Sequence, residues 1–317
     1  MDRSSHPVSV RVTERAPGAA ATLPAAEVSA TAARRPRGRP AGRWIRRHPT
    51  GALSGAVLLV VLLASALAPW ISPHDPYAQD YDALMRPPGG AYLLGTDYLG
   101  RDVFSRTLFG GRTSLSISLA AITAGTVAGT IAGLASGFYG GWFDGIVQRV
   151  VDVMMALPSI ILALALMAVL GPRTENVVLA IATIIVPSLS RIVRGTVLQL
   201  REMQFVEAAR ALGASDARVL SRHVLPNTIA PVIVVATTAL SGAILIEASL
   251  GFLGLGTQLP VPSWGNMLSE EARRYFEQAP WMALPPGIAL SLTVLAVNFF
   301  GDALRDALDP RLRRVPS

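Results

Sequence analysis

Cysteine, lysine and charge within the apolar segments are all missing from this 317-residue chain. The absence of cysteine excludes a disulfide framework, a thiolate metal site and a cysteine nucleophile. All 28 basic residues are arginine, and the chain has a net charge of +7. Such a surplus is typical of proteins that bind nucleic acid or lie at a membrane. The position of the arginines along the chain decides between these classes.

Apolar residues dominate the composition. Hydrophobic residues make up 51% and charged residues 15% of the chain, and the mean hydropathy is +0.44. A membrane-spanning helix needs about 20 apolar residues, and six charge-free windows approach or exceed this length. We therefore predict an all-α polytopic membrane protein with six transmembrane helices. The windows are Gly51 to Trp70, Thr113 to Phe143, Val153 to Leu170, Asn176 to Ser190, Leu225 to Ile246 and Trp281 to Gly301.

The arginines predict how these spans are oriented. An even number of spans places both termini on one side of the bilayer. If that side is the cytoplasm, 18 arginines lie in inside segments and seven in outside segments, with three more far out on the N-terminal tail. Because cytoplasmic loops are enriched in arginine, both termini are expected to be cytoplasmic. The arginines follow the membrane edges and form no single patch, so the expected partner is the lipid bilayer and no nucleic acid is expected.

The second window carries a glycine at every fourth position: Gly125, Gly129, Gly133 and Gly137. On a helix these residues share one face without side chains, which lets another backbone approach closely. Two interpretations remain open. The favoured one is packing within the chain, and the other is contact with a second subunit.

Local signals predict where helices bend and begin. Pro158, Pro187 and Pro285-Pro286 fall inside three of the windows and are expected to bend or break the helices there. Arg191 and Arg194 follow the short fourth window, and we expect them to extend to the headgroup layer. Asp102 is expected to cap a short amphipathic helix that runs through Phe109.

No segment has the residues of a catalytic, cofactor-binding or metal site. The spacing of Gly95 and Gly100 is superficially that of a phosphate-binding loop, but Arg101 and Asp102 follow where such a loop needs Lys and Ser or Thr. The four histidines are scattered and have no metal-ligand spacing. The predicted spans contain almost no ionisable residue of the kind that marks an ion pathway. Energy for any transport is therefore expected to come from outside the chain.

A short polar stretch lies between the fourth and fifth windows. Helix-favouring residues run from Gln204 to Leu212, and Gly213 can adopt the left-handed conformation that ends a helix. Ser215 or Asp216 can cap a second helix, and Pro226 can lie in the first turn of the fifth span. Such a helical hairpin is either a docking surface for a partner or an ordinary surface loop, and the residues alone leave both open.

A spaced motif in this hairpin resembles a known family. Glu207-Ala208-Ala209, three residues, Gly213, nine residues, His223, one residue and Leu225-Pro226 are similar to the EAA motif of importer permeases in the ATP-binding cassette (ABC) superfamily. His223 stands where the family usually has Ile, and Gly251 stands where the peptide-importer branch more often has Ser. The resemblance is to the C-type permease subunit of dipeptide, oligopeptide and nickel importers. Its further motifs are Leu94-Gly95-Thr96-Asp97, Gly100-Arg101-Asp102, Glu247 to Gly256, Pro262-Ser263-Trp264-Gly265, Gly301-Asp302, Arg305-Asp306 and Leu308-Asp309-Pro310.

This resemblance implies a domain plan, partners and a site. Glu207, Ala208, Ala209, Gly213, Leu225 and Pro226 would couple the chain to an ATPase. The partners would be a paralogous permease, two cytoplasmic ATP-binding subunits that carry ATP and Mg, and an extracytoplasmic solute-binding protein. The location would be the bacterial cytoplasmic membrane. The implied segments are a disordered cytoplasmic tail (1–43), a first transmembrane helix (44–72), an external segment (73–112), an importer-type ABC transmembrane domain (113–311) with its EAA loop at about 201–226, and a C-terminal tail (312–317).

The expected function is therefore that of a permease subunit of an ATP-driven importer for peptides or related small solutes. An ion-coupled carrier or channel that works without ATPase partners is the alternative, and it is disfavoured by the scarcity of charge within the spans. A membrane scaffold without transport is a third interpretation.

Overall fold

The computed structural model describes residues 49–308, apart from the side chains of residues 270, 271 and 308. The expected tails 1–43 and 312–317, the start of the 44–72 segment and Asp309-Pro310 lie outside the described residues. Within 49–308 the regular elements are all helical. The α-helices in chain order are α1 (Pro49–Ala66), α2 (Ala68–Ile71), α3 (Val103–Tyr139), α4 (Gly141–Ala156), α5 (Ser159–Leu170), α6 (Thr174–Arg201), α7 (Gln204–Ala211), α8 (Asp216–Val219), α9 (Leu225–Phe252), α10 (Trp264–Met267), α11 (Glu270–Arg274) and α12 (Leu284–Leu308). Short 3-10 or π segments lie at Tyr81–Ala83, Leu220–Val224 and Pro280–Met282.

Five helical segments in the described range are long and apolar enough to cross a membrane: Pro49–Ala66, Val103–Tyr139, Thr174–Arg201, Asp216–Phe252 and Pro280–Ala307. A sixth crossing requires α4 and α5 together, and these two helices meet at an angle of 98°. The apolar windows of the sequence thus correspond to five continuous helices and one bent pair.

A helix break lies at one of the three places where proline was expected to bend or break the chain. Pro158 lies at the break between α4 and α5 and immediately precedes α5. Pro187, by contrast, lies buried inside α6, which is continuous there, so the helix is not broken at this position. Membrane helices tolerate proline because neighbouring groups and local adjustment satisfy the freed carbonyl. Pro285 and Pro286 lie in the first turn of α12, where their missing N–H groups cost the helix little.

The N-terminus of α3 is capped as expected, but the helix is much longer. The carboxylate of Asp102 accepts a hydrogen bond from the backbone N–H of Ser105 at 3.0 Å. The helix does not end at Phe109. It runs from Val103 to Tyr139, a length of 37 residues. At Gly111 it passes Trp264 so closely that a Cβ atom would lie 2.7 Å from the indole ring. The short helix and the second span are therefore one element.

The glycine face of α3 lies against α6 within the same chain. A Cβ atom at Gly125 would lie 2.8 Å from the carbonyl oxygen of Ala182, and one at Gly133 would lie 2.5 Å from that of Ser190. Gly129 and Gly137 meet Leu189 and Val197 at 3.0 and 2.9 Å in the same way. The two backbones thus approach as closely as the glycines allow, and the open alternative of a second subunit is not needed to explain this face.

Two arginines of α6 pair with carboxylates of the neighbouring helix α4, and these partners were not expected from the sequence. Their expected position in the headgroup layer stays a prediction. The guanidinium of Arg194 donates two hydrogen bonds of 2.6 Å to the two carboxylate oxygens of Asp144. Arg191 donates one of 2.6 Å to Asp152. Each carboxylate thus pairs with one guanidinium group. The ion pair takes the place of part of the hydration that each charge would otherwise need.

The segment between α2 and α3 is folded around buried polar groups. Arg86 donates its backbone N–H to the Thr96 hydroxyl at 2.8 Å, and Trp281 donates its indole N–H to the Thr96 carbonyl at 3.1 Å. Gly100 has φ of +74°, and a Cβ there would overlap the Asp80 carbonyl. The Tyr92 hydroxyl donates to the Asp80 carboxylate at 2.8 Å, and this hydrogen bond raises the pKa of Tyr92 above its ordinary value.

The glycine face leads to a stability prediction. Gly133→Ala inserts a methyl group into the contact with the Ser190 carbonyl, and overpacking of this kind costs about 1–3 kcal/mol. We expect a lower thermal unfolding midpoint for the detergent-solubilised protein, measured by fluorescence-detected size exclusion after heating.

Gly195→Ala is the matched control, because a Cβ there meets no atom within 4 Å. Alanine is favoured over glycine in a helix by about 1 kcal/mol, so its midpoint should stay equal or rise. Equal midpoints for Gly133→Ala and the unsubstituted protein would contradict close packing of the two helices.

Candidate functional site

Helix α7 is an eight-residue amphipathic helix with one firmly anchored face. Val206 is fully buried and belongs to an apolar cluster that joins α7 to three other parts of the bundle. The same cluster includes Phe138 near the end of α3, Val197 of α6 and Val219 of α8. The helix is therefore packed onto the ends of α3 and α6 and does not project freely.

The turn after α7 is a Schellman motif. Gly213 has φ of +79°, the left-handed conformation that favours glycine. Its N–H bonds to the carbonyl of Arg210 at 2.9 Å, and the N–H of Ala214 bonds to the carbonyl of Ala209 at 3.0 Å. These two hydrogen bonds satisfy carbonyls that the helix end would leave free. The chain reverses at Gly213 with a defined geometry.

The second arm of the hairpin runs directly into a membrane-spanning helix. α8 is followed by a π-helical segment, Leu220–Val224, in which the N–H of Leu225 bonds to the Leu220 carbonyl. α9 begins at Leu225 with Pro226 in its first turn. Residues Asp216–Phe252 thus form one helical run of 37 residues. A displacement of the hairpin would be transmitted into this helix at the π segment.

The residues that the motif singles out differ in exposure. Glu207 and Ala208 are exposed, whereas Ala209 is half-buried against the apolar cluster. Gly213 and Pro226 are exposed and Leu225 is half-buried. The outer face of α7 therefore presents one carboxylate beside small side chains.

Sequence reasoning missed the apolar side chains around this face. Leu212 is 89% exposed at the tip of the hairpin, and Met203 and Phe205 are 49% and 43% exposed. A leucine immediately before a left-handed glycine, beyond the last packed position of a short helix, is the signal that could have found Leu212.

Arg210 connects the two arms of the hairpin to the bundle. Its guanidinium lies 3.9 Å from the carboxylate of Asp216 and 5.2 Å from the centre of the Phe138 ring. The ion pair is half exposed to solvent, so it contributes little to stability by itself. Together with the ring contact, it orients α7 relative to α3.

The described residues contain no group of three side chains that could hold a metal ion. The hairpin presents an exposed carboxylate beside exposed apolar side chains.

The family comparison identifies the class of protein. Residues 125–314 match the family of binding-protein-dependent transport system inner membrane components, and residues 39–88 match the N-terminal transmembrane domain of oligopeptide transport permease C. The first match covers more than half of the chain and includes the hairpin. The chain belongs to the family of binding-protein-dependent transport system inner membrane components, the permease subunits of ABC importers.

Curated relatives match most of the chain. The di/tripeptide transport system permease protein DppC of Pseudomonas aeruginosa is 45% identical over 273 residues, 84% of this chain and 90% of the relative. The glutathione transport system permease protein GsiD of Salmonella typhimurium is 45% identical over 86% of this chain and 89% of its own length. A putative peptide transport system permease protein of Brucella abortus is 44% identical over 86% and 91%.

Among solved structures, the MetNI methionine ABC transporter in inward-facing conformations has a similar fold. The TM-score is 0.50 at 19% sequence identity, and the match covers 63% of this chain and 94% of the other. The sequence-based prediction of an all-helical ABC importer permease is therefore confirmed, and the chain is a multi-pass membrane protein.

The turn geometry predicts the effect of substitution at Gly213. Gly213→Pro removes the N–H that bonds to Arg210 and forces φ to about −65°. We expect the amides of residues 204–216 to exchange at least about tenfold faster in hydrogen–deuterium exchange measured by mass spectrometry. The amides of α3 and α6 should keep their protection.

Gly213→Asn is the control, because asparagine adopts the left-handed conformation more readily than other side chains and keeps its N–H. A Cβ there meets no atom within 4 Å. Exchange in this variant should stay close to that of the unsubstituted protein. Equally fast exchange in both variants would show that the turn geometry is not the cause.

Proposed function

We propose that this chain is one of two permease subunits of an ATP-driven importer for short peptides. The observation that supports the substrate class most strongly is the identity of about 45% with relatives named for di/tripeptide and glutathione transport, over most of both chains. Glutathione is itself a small peptide, so the two names describe similar chemistry.

The remaining partners follow from the class. They are a paralogous permease that forms the other half of the pore, two cytoplasmic ATP-binding subunits, and an extracytoplasmic solute-binding protein. ATP and Mg bind to the ATP-binding subunits, and hydrolysis occurs there. The complex lies in the bacterial cytoplasmic membrane with both termini of this chain in the cytoplasm. The asymmetric distribution of arginine supports this orientation.

We also propose the segment boundaries expected from the resemblance. A tail at 1–43 precedes a first transmembrane helix at 44–72, and an external segment at 73–112 leads to the transmembrane domain at 113–311. The EAA loop occupies about 201–226, and 312–317 is a C-terminal tail. The helix bounds suggest an earlier start for the transmembrane domain than residue 113, since α3 already begins at Val103.

The hairpin is the proposed coupling element. Glu207, Ala208 and Gly213 would contact the ATPase together with Leu212, while Ala209 holds α7 against the bundle. Leu225 and Pro226 begin the helix that receives the motion. Three features support a mechanical role: the buried anchor at Val206, the defined turn at Gly213, and the helical run from Asp216 into α9. Rigid parts joined at a π segment move as units and bend locally.

A transport assay tests this role. Ala208→Arg places a long cation on the exposed outer face of α7 and leaves the anchored face unchanged. We expect at least a tenfold loss of ATP-driven peptide uptake by the complex in proteoliposomes and loss of copurifying ATPase, while the permease still inserts and keeps its thermal midpoint.

Ala208→Ser keeps the small size of the side chain and should retain uptake. Ala209→Arg is a less clear probe, because Ala209 is half-buried and the substitution also disturbs the apolar cluster. Full uptake by Ala208→Arg would contradict docking at this face. Uptake driven by an ion gradient without ATPase subunits would overturn the importer assignment itself.

A further inference from the structure

A cavity of about 370 Å³ lies at the end of the bundle opposite the hairpin. It is bounded by the start of α3, the end of α9 and the loop that leads to α12, and its lining includes Val103, Gly251 and Met282. The hairpin contacts Phe138 near the other end of α3. A helix rises 1.5 Å per residue, so the two sites are roughly 50 Å apart along α3. This cavity is therefore a separate feature from the coupling surface.

Three charged side chains among the described lining residues leave the cavity with a surplus of positive charge. They are Asp97, Arg101 and Arg106, which are 6%, 4% and 3% exposed. The Asp97 carboxylate lies 2.6 Å from Nε of Arg101 and 3.5 Å from Nε of Arg106. One carboxylate thus faces two guanidinium groups, and buried charge of one sign is costly unless it is paired.

The carboxylate of Asp97 is already fully used. Its Oδ1 accepts hydrogen bonds from the backbone N–H groups of Leu99 and Arg101 at 2.9 and 3.0 Å. Its Oδ2 accepts a hydrogen bond from Nε of Arg101 and forms an ion pair with Nε of Arg106. The side-chain hydrogen bond of Arg101 within residues 49–308 uses Nε alone. Its two terminal nitrogens are thus left for a further acceptor. Arg106 uses one terminal nitrogen to bond the Pro76 carbonyl at 3.0 Å.

A second polar group in the wall lacks a partner. Thr257 lines the cavity, and its buried hydroxyl makes no hydrogen bond within the described part of the chain. Buried polar atoms are normally satisfied, but the Thr257 hydroxyl oxygen is closed off from the cavity. A missing ligand is therefore indicated by the terminal nitrogens of Arg101, which lack an acceptor among the described residues. Much of the remaining wall is apolar, with Val103, Met267 and Met282 among its members.

We propose that this cavity binds the carboxylate of a short peptide during transport, with the terminal nitrogens of Arg101 as the donors. Guanidinium groups form paired, charge-assisted hydrogen bonds with carboxylates, and the apolar wall suits a neighbouring aliphatic side chain. The volume lies at the lower end of the range of ligand pockets, about 300–1,000 Å³. That size favours a small solute over a folded partner. The proposal rests on the proposed peptide-importer function.

The test separates this site from the solute-binding protein, which also selects the substrate. The permease pair is embedded in nanodiscs without the solute-binding protein, and saturation-transfer NMR measures binding of dialanine and of dialanine amide. The amide lacks the carboxylate and is otherwise nearly identical. We expect dialanine to bind and the amide to bind at least about tenfold more weakly, since hydrogen bonds to charged groups are the strong ones. Equal binding of the two, or no binding of dialanine, would overturn the proposal.

Two substitutions assign the effect to the cavity. Arg101→Lys keeps the charge beside Asp97 but loses the paired terminal donors, and it should weaken dialanine binding about tenfold. The comparison of dialanine with its amide on the unsubstituted permease pair keeps the test decisive even if Arg101→Lys folds poorly. Arg112→Gln is the matched control, because Arg112 is an exposed residue of the same helix outside the cavity. It should bind dialanine as before.

Uptake by the complete complex distinguishes the possible failures. If the unsubstituted complex imports dialanine but the permease pair binds it no better than the amide, this inference fails and the proposed function stands. If the unsubstituted complex imports no peptide, the proposed function fails and the inference falls with it. If Arg101→Lys weakens association of the solute-binding protein and leaves dialanine binding unchanged, the carboxylate belongs to that protein and the substrate site is refuted.

Discussion

Close contact between the glycine face of α3 and the backbone of α6 is the constraint on which the rest of this structure depends. Lipid tails are as apolar as leucine, so burial cannot drive two membrane helices together as it does in water. Association instead depends on how near the backbones come, and the four glycines allow a separation that any side chain would prevent. The contact is long, because it runs from Gly125 to Gly137.

This contact also positions both ends of the bundle. At the end where α3 finishes, it brings Phe138 to the apolar cluster under Val206 and to the guanidinium of Arg210. Asp144, which follows the turn at Gly140, meets Arg194 of α6. At the other end, the start of α3 carries the buried group of Asp97, Arg101 and Arg106, tied to the α12 side of the bundle by Trp281 and Thr96. One rigid helix pair therefore separates a polar, cavity-bearing end from a hairpin-bearing end.

Much of this could be predicted from short-range chemistry. The length of the apolar windows located the spans, since a segment that crosses the bilayer must form all its backbone hydrogen bonds internally and is therefore helical. Asp102 was recognisable as a cap and Gly213 as a left-handed turn because these roles depend on a few neighbouring residues. Long-range partners could not be predicted in this way. Pro187 was expected to bend or break α6, and the helix is continuous there. The pairing of Arg191 and Arg194 with Asp152 and Asp144 was not foreseen, because neither α6 nor α4 reveals from its own sequence that it will satisfy the other.

The sequence by itself determined that the chain is a polytopic helical membrane protein and that its hairpin carries the EAA pattern. These properties reside in length, composition and the spacing of nearby residues. Only the tertiary structure decided that the glycine face packs inside the chain, that Leu212 rather than Ala209 is exposed at the hairpin, and that Arg101 faces a cavity. Each of these depends on which distant backbone occupies the adjacent space, and that is set by the packing of the whole bundle.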